Sequence, residues 1–335
     1  MMSPLKIGFC IAVLGVGSPA YADRGAPIYI ANQNPFVQIF GLPKAEPGTI
    51  TPNGKLDAGF FYHVSNNAIS TDAGNESIIW DGETAQYNLR FRYGVSERLE
   101  LGMDIPYIDH SGGYLDSLIR KFHDLFGMPN DRQEEFDKNQ IHYQLQEING
   151  TTTNTTFEMQ DRAHGFGDIR FSAAIPLMGR SRQDQRHLAL RPQIKLPTGD
   201  AKHLLGSGGA DVSMGLAYSD FQTLRSLNMV LSSHAGMIYM GNTKVLRDKQ
   251  RHFAGYGGVS LDWLATDYLE FKVQMDLHSA FYDSDLKQLG SSLQLVAGGT
   301  AHLPGNVLLD LGISEQVITD ATPDVGFYLF VRRLF

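Results

Sequence analysis

The stretch from 84 to 108, TAQYNLRFRYGVSERLELGMDIPYI, constrains the fold more than any other part of the chain. In its first half Ala85, Tyr87, Leu89, Phe91, Tyr93 and Val95 alternate with Gln86, Asn88, Arg90 and Arg92. After the turn Gly94-Val95-Ser96-Glu97, the residues Leu99, Leu101, Met103, Ile105 and Tyr107 share one face, and Arg98, Glu100, Gly102 and Asp104 share the other. Side chains on a strand point alternately to opposite faces, so this is a hairpin with one oily and one charged face. Each arm is about ten residues, where soluble strands average five or six. A tilted strand that crosses a bilayer needs about that length.

The same period recurs along the chain. Leu56, Ala58, Phe60, Tyr62 and Val64 form the apolar face of a strand over 55–64, and a polar connection over 65–83 leads to the hairpin. Further strands are expected at 168–177, 187–196, 211–218, 227–239, 252–263, 268–278, 289–301, 306–314 and 325–335. The fourth of these nine, like the second, is less regular, and Pro192 in the second cannot donate to a ladder. The total is twelve. Connections alternate between long or polar (65–83, 109–166, 197–210, 240–251, 279–288, 315–324) and tighter ones (94–97, 178–186, 219–226, 264–267, 302–305). An even strand number with short turns at one end and long loops at the other is the pattern of an outer-membrane barrel. Backbone groups in lipid must be paired, so such a sheet has to close. The expected fold is all-β, a transmembrane antiparallel up-and-down β-barrel over 55–335. No run of about 18 apolar residues suits a spanning helix.

Both ends of the chain fit export. Lys6, the apolar run 7–17 and Ala20-Tyr21-Ala22 form a signal-peptide pattern over 1–22. The only cysteine, Cys10, lies inside it. Residues 23–54, rich in Pro, Gly and Asn, read as an irregular periplasmic lead-in, with a place inside the lumen left open. At the other end Phe327, Leu329, Val331 and Phe335 alternate and finish on phenylalanine. This resembles the C-terminal signature of bacterial outer-membrane barrels, which implies that Phe335 is an assembly signal read by the barrel assembly machinery. The expected location is the outer membrane of a Gram-negative bacterium, with its lipids as surroundings.

A charge facing lipid at the midplane costs roughly 2–4 kcal/mol, so the charged faces must line the lumen. They carry Arg90, Arg92, Arg98, Arg170, Arg191, Lys195, Lys272 and Arg332 against Glu100, Asp104, Asp168, Asp211, Asp262, Glu270, Asp276 and Asp310. Eight cations facing eight anions suggest a cross-linked lumen or a narrow pore of low selectivity, since a selective pore shows one dominant sign. The net charge of −8 is spread along the chain, with no basic patch for nucleic acid.

The long loop 109–166 starts with Leu115, Leu118, Ile119, Phe122, Leu125 and Phe126 at spacings of three and four, which predicts a helix over 114–126. Its apolar stripe suits a lid on the barrel mouth, or else the outer leaflet. The Asn- and Thr-rich run 149–156 is low in complexity. No histidine pair has zinc spacing, and the glycines of 199–209 lack the order of a phosphate-binding loop, so no metal or cofactor is expected. One enzymatic candidate remains. His63 and Ser65 share a strand face, where imidazole can activate a hydroxyl. The string His63-Val64-Ser65-Asn66 resembles the short motif of outer-membrane phospholipases and lipid A deacylases. A turn at the strand end near the outer rim accounts for the same residues.

Several strings together resemble a family of uncharacterised Gram-negative proteins, domain-of-unknown-function family 3187. They are Asn32-Gln33-Asn34-Pro35-Phe36, Phe40-Gly41-Leu42-Pro43, Ser65-Asn66-Asn67, Trp80-Asp81-Gly82-Glu83-Thr84, residues 116–123, and Phe126-Gly127-Met128-Pro129. The resemblance spans nearly the whole chain and implies an outer-membrane barrel without an activity. Residues 195–200 with the glycines that follow are similar to a rim loop of transporter-like barrels from aromatic-degradation operons. The reading that follows is a narrow passive channel or uptake protein for a small solute, or a structural barrel. The alternatives are a lipid hydrolase using Ser65 and His63, and a barrel that binds a partner through its loops.

Overall fold

The computed structural model describes residues 24–113, 140–181, 183–317 and 321–335. Fifteen strands form one antiparallel sheet. In chain order they are β1 (Leu56–Ala73), β2 (Glu76–Ser96), β3 (Leu99–Ser111), β4 (His142–Asn149), β5 (Thr152–Met159), β6 (Ala163–Phe166), β7 (Arg170–Met178), β8 (Arg186–Lys195), β9 (Asp211–Asp220), β10 (Met229–Met240), β11 (Phe253–Trp263), β12 (Leu269–His278), β13 (Ser292–Leu303), β14 (Val307–Gln316) and β15 (Val325–Leu334). β1 pairs with β15, and β3 pairs with both β2 and β7. Twelve strands therefore close a ring, β1-β2-β3-β7 through β15 and back to β1, while β4, β5 and β6 extend the sheet beyond it. Closure leaves the ring itself without an open edge, the requirement for a sheet in lipid. The fold is a transmembrane β-barrel of twelve strands.

Alternation sorts the side chains as the sequence requires. Leu89, Leu101, Met214, Leu216, Val259, Phe271, Val273, Leu277 and Leu311 stand on the outer wall and are exposed. Their neighbours in sequence, among them Asn88, Arg90, Ser213, Ser260, Lys272, Gln274 and Asp310, are buried inside. Tyrosines fill the inner wall where glycine makes room. The Tyr328 ring lies across Gly298 and Gly312, and a Cβ added to Gly312 would meet its Cε1 at 2.2 Å. Tyr256 covers Gly215 and Gly236 in the same way.

Several strands differ from the sequence reading. β1 and β2 run as one ladder of eighteen pairs from Leu56↔Tyr93 to Ala73↔Glu76, joined at Gly74-Asn75. The expected polar connection 65–83 is thus the far end of a hairpin that projects past the ring. Polar residues are compatible with strand there because backbone pairing continues while the lipid does not. The segment 142–166 is also largely strand. Gly150, at φ +65°, takes the first central position of the two-residue turn Gly150-Thr151 that joins β4 to β5, a place that favours glycine. β4 pairs with Glu76–Asp81 of β2, and β6 with Tyr107–His110 of β3, so both build on the long-loop end. Pro192 stays within β8, where the rungs opposite Ala173 and Ala174 are missing from the β7–β8 ladder. The expected helix 114–126 and the signal segment 1–22 lie outside the described residues.

Candidate functional site

The barrel interior is occupied by the lead-in. Arg24 lies beside the β11–β12 turn, donating to the carbonyl of Thr266. The chain then climbs the lumen. The Ala26 carbonyl accepts from Lys272, the Ile28 amide donates to Gln274 Oε1, and the Asn32 amide donates to the Ala321 carbonyl at the long-loop end. There Asn32 and Asn34 each accept, through the side-chain oxygen, the backbone N–H two residues on, at 2.9 Å. These two Asx turns reverse the chain at the string Asn32-Gln33-Asn34-Pro35-Phe36. The descending limb follows β8 and β9. The Gly41 N–H donates to Asp211, the Gly48 N–H to Ser219, and Arg191 donates to the carbonyls of Pro47 and Thr49. The Thr51 amide donates to Glu100 at 2.6 Å before the chain enters β1. Residues 24–54 are thus a plug that enters and leaves the barrel at its short-turn end.

Two kinds of chemistry hold this plug. At the mouth its tip is apolar. Phe36 stacks on Trp80 with ring centroids 5.5 Å apart, and Phe40 meets Phe281 and Tyr282 edge-on. Phe36, Val37, Ile39, Phe40 and Leu42 join Ile78, Tyr143, Leu145 and Met240 in one buried cluster. Each such side chain contributes roughly 1.5–3 kcal/mol by leaving water. Below the mouth the contacts are ionic. Glu46, on the plug, takes Arg92 at 2.6 Å and Arg90 at 3.1 Å, with Arg191 at 3.8 Å. Wall acids share the same arginines: Asp57 with Arg90 at 2.7 Å, Asp104 with Arg92 at 2.8 Å, and Glu100 with Arg191 at 3.1 Å. The Tyr29 hydroxyl donates to Asp104.

The residues expected in the lumen fall into clusters. Arg90, Arg92, Glu100, Asp104 and Arg191 surround Glu46. Lys195 sits between Asp168 at 2.7 Å and Asp211 at 3.0 Å, fully buried, and also donates to the Ile39 carbonyl. The glycine-rich loop 196–210 wraps this group, since the N–H groups of Gly199 and Ser207 donate to Asp168. Glu270 joins Lys272 at 3.4 Å and His302 at 2.7 Å near the short-turn end. Arg170 donates to the carbonyls of Gln38 and Phe40. Asp276 accepts from Gln274 and lies 3.7 Å from His234. Arg98 departs from expectation. It is exposed in the β2–β3 turn, because the alternation ends at Ser96 and the turn carries it out of the ladder.

His63 and Ser65 are both buried on β1, between β15 and β2, in the last four rungs of the β1–β15 ladder toward the long-loop end. Ser65 Oγ has no hydrogen-bond partner, and His63 Nε2 lies 3.5 Å from Ser314 Oγ. The nucleophile–base bond that hydrolysis needs is not formed. Phe335 closes the last rung of the ring through both backbone groups to Leu56, and its side chain is exposed. Leu115, Leu118, Ile119, Phe122 and Phe126 lie outside the described residues. Among the described residues no three His, Cys, Asp or Glu side chains form a metal-holding group.

Small voids flank the plug on the β7–β13 side. One, of about 40 Å³, is lined by Tyr29, Lys44, Arg92, Arg191, Gly215 and Ala217, with His234 and Tyr256. A second, of about 20 Å³, shares Pro43, His234 and Tyr256 with it and continues past Asp276 to Asn32 and Ser292. A third, of about 10 Å³, shares Ala31, Asn32 and Leu42 with the second and Lys44 with the first. A water needs roughly 10–15 Å³, so each is of water size or more. Small wall residues, Ser172, Gly215 and Ala217, line the first void, with the Tyr256 ring beside Gly215.

Of the plug residues that matter, Tyr29, Lys44 and Glu46 carry no signal in the sequence, and Asn32 is marked only by its place in the string Asn32-Gln33-Asn34-Pro35-Phe36. The charge count of the wall balanced without Glu46, so nothing called for another acid. The signal available was the pair of asparagines before Pro35-Phe36.

No curated protein matches the chain. Among solved structures it is similar to the COG4313 outer membrane channel from Pseudomonas putida F1, at 11% identity and TM-score 0.56, covering 87% of this chain and 100% of that one. The Ralstonia pickettii toluene transporter TbuX matches at 11% identity over 96% of this chain and 98% of its own, with a TM-score of 0.42. The P. putida toluene transporter TodX matches at 11% over 86% and 91%, with a TM-score of 0.38. At such identity the first shows a shared outer-membrane barrel fold, and the other two are weaker likenesses. The family model "Protein of unknown function (DUF3187)" matches residues 6–335. With the barrel, the asparagine turn and a match of that extent together, the chain belongs to the DUF3187 family.

Proposed function

We propose that the protein is a narrow passive channel for small solutes across the outer membrane of a Gram-negative bacterium, with residues 24–54 as its plug. The observation that carries this is the run of adjoining voids beside the plug, which share lining residues from Glu46 and Arg191 to Asn32 and Ser292. A purely structural barrel gains nothing from unfilled space along one side of its plug, since a filled interior is the more stable one. The P. putida F1 protein of similar fold is an outer membrane channel. The short-turn end, with both barrel termini, then faces the periplasm and the long loops face outward. Residues 1–22 direct export, and the exposed Phe335 is offered to the barrel assembly machinery.

The test is liposome swelling and planar-bilayer recording with folded protein, its folding checked by heat-modifiable gel mobility. Wild type should admit small solutes with low, flickering conductance. Deletion of 25–50 should raise both the conductance and the solute size limit. A folded wild-type barrel that admits no solute at all, while the deletion variant conducts, would overturn the reading and leave a sealed structural barrel.

A further inference from the structure

Lys44 is the one lysine or arginine of the lumen-filling plug beyond Arg24, and it is 6% exposed. Its Nζ has no hydrogen-bond partner. It lies 5.2 Å from the ring centres of both Tyr29 and Phe61, and no carboxylate forms an ion pair with it. The nearby acids are already engaged: Glu46 and Asp57 by Arg90, Glu46 and Asp104 by Arg92, Glu100 by Arg191. A second cation in the same void has no acid either. Arg170, 7% exposed, spends one guanidinium nitrogen on two plug carbonyls, and its Nε is unpartnered. Lys44 and Arg170 both line the void of about 10 Å³, together with Gln38, whose amide nitrogen and oxygen are also unpartnered. Lys44 further lines the larger void of about 40 Å³.

Burial, and then the neighbouring Arg170, push the Lys44 ammonium down to about 7, so two basic groups facing one cavity are costly to keep charged together unless something negative joins them. Aromatic faces offset an ammonium only in part. We propose that the void between the plug and β7 binds one small monovalent anion of halide size, held by Lys44 Nζ, Arg170 Nε and the Gln38 amide. Its volume excludes larger anions, since it has room for about one water-sized body. The amide can present its NH₂ by a simple flip. Because Lys44 and Gln38 belong to the plug and Arg170 to the wall, the anion would fasten one to the other. The site stands whether or not the barrel conducts.

Two measurements test it. Crystals of the full mature chain grown in sodium bromide should show an anomalous peak within hydrogen-bond reach of Lys44 and Arg170. Density there without anomalous signal means an ordered water only and overturns the proposal. Urea unfolding in detergent at constant ionic strength, with chloride exchanged for gluconate, should show linkage. At saturation a tenfold rise in chloride should favour the folded state tenfold. Lys44→Met, which keeps the length of the side chain without its charge, should abolish that dependence. A wild type as stable in gluconate as in chloride, or a Lys44→Met variant that keeps the full chloride dependence, also overturns it.

Discussion

Glu46 illustrates how much one plug residue can hold. Its carboxylate engages Arg90 and Arg92 and lies near Arg191, and both arginines keep a wall acid of their own. Removing one member of a buried ionic cluster typically costs about 3–5 kcal/mol, because the charges left behind stay out of water. Glu46→Gln keeps the shape and should fall toward the lower end of that range in urea unfolding, since Asp57 and Asp104 remain. Glu46→Gln should also raise the conductance, as the plug loses its strongest tie to the wall. The lumen charges of the wall were readable from the sequence because a period-two pattern assigns a face to every residue. Arg98 was misplaced because the pattern gives no exact end to a strand. Glu46 and Lys44 were unreadable, since a segment without period carries no facing rule. The pair His63 and Ser65 shares a face as expected, but sharing a face does not make a hydrogen bond.

Among the elements, the β4–β5 hairpin is the clearest case of local pairing tied down by distant charge. Lys249, in the loop between β10 and β11, bridges Glu76 at 2.6 Å and Glu147 of β4 at 2.7 Å. Burial acts to lower the Lys249 ammonium, but its bonds to Glu147 and Glu76 outweigh this and raise it above 10.5. Burial acts to raise Glu76, but bonds from Lys249, Ser284 and the Asp285 amide hold it below 4.5. A depressed acid stabilises above its unfolded value and loses that contribution as pH falls through its folded value. A raised lysine stabilises below its unfolded value and loses that contribution as pH climbs through its folded value. The clamp should therefore hold between about 4.5 and 10.5 and loosen on either side. Limited proteolysis should cut the 149–152 turn region faster at pH 3.5 than at pH 7, and Lys249→Met should show the fast cutting already at pH 7. Equal rates for Lys249→Met and wild type at pH 7 would separate the hairpin's order from this clamp. At the other end of the chain, Phe335 closes the ring by its backbone and exposes its ring. Phe335→Ala should leave refolding in detergent near normal but lower the folded amount in cells several-fold, read by outer-membrane fractionation.

Over the whole molecule, the sequence by itself determined the barrel. Long alternating strands, an even number of them and loops that alternate in length leave a closed sheet in a membrane as the one arrangement that pairs the backbone and hides the charges. These are local properties repeated, so a reading residue by residue recovers them. Hydropathy cannot show where a strand ends once it leaves lipid, and so the β1–β2 ladder and the β4–β5 hairpin emerged only from backbone pairing. The plug was decided by tertiary structure alone. Residues 24–54 have no periodicity, and their order comes from partners on β2, β8, β9 and β12 far away in sequence. What fills the barrel, and whether it can open, depends on contacts between a segment without a pattern and a wall whose pattern says only that it is polar.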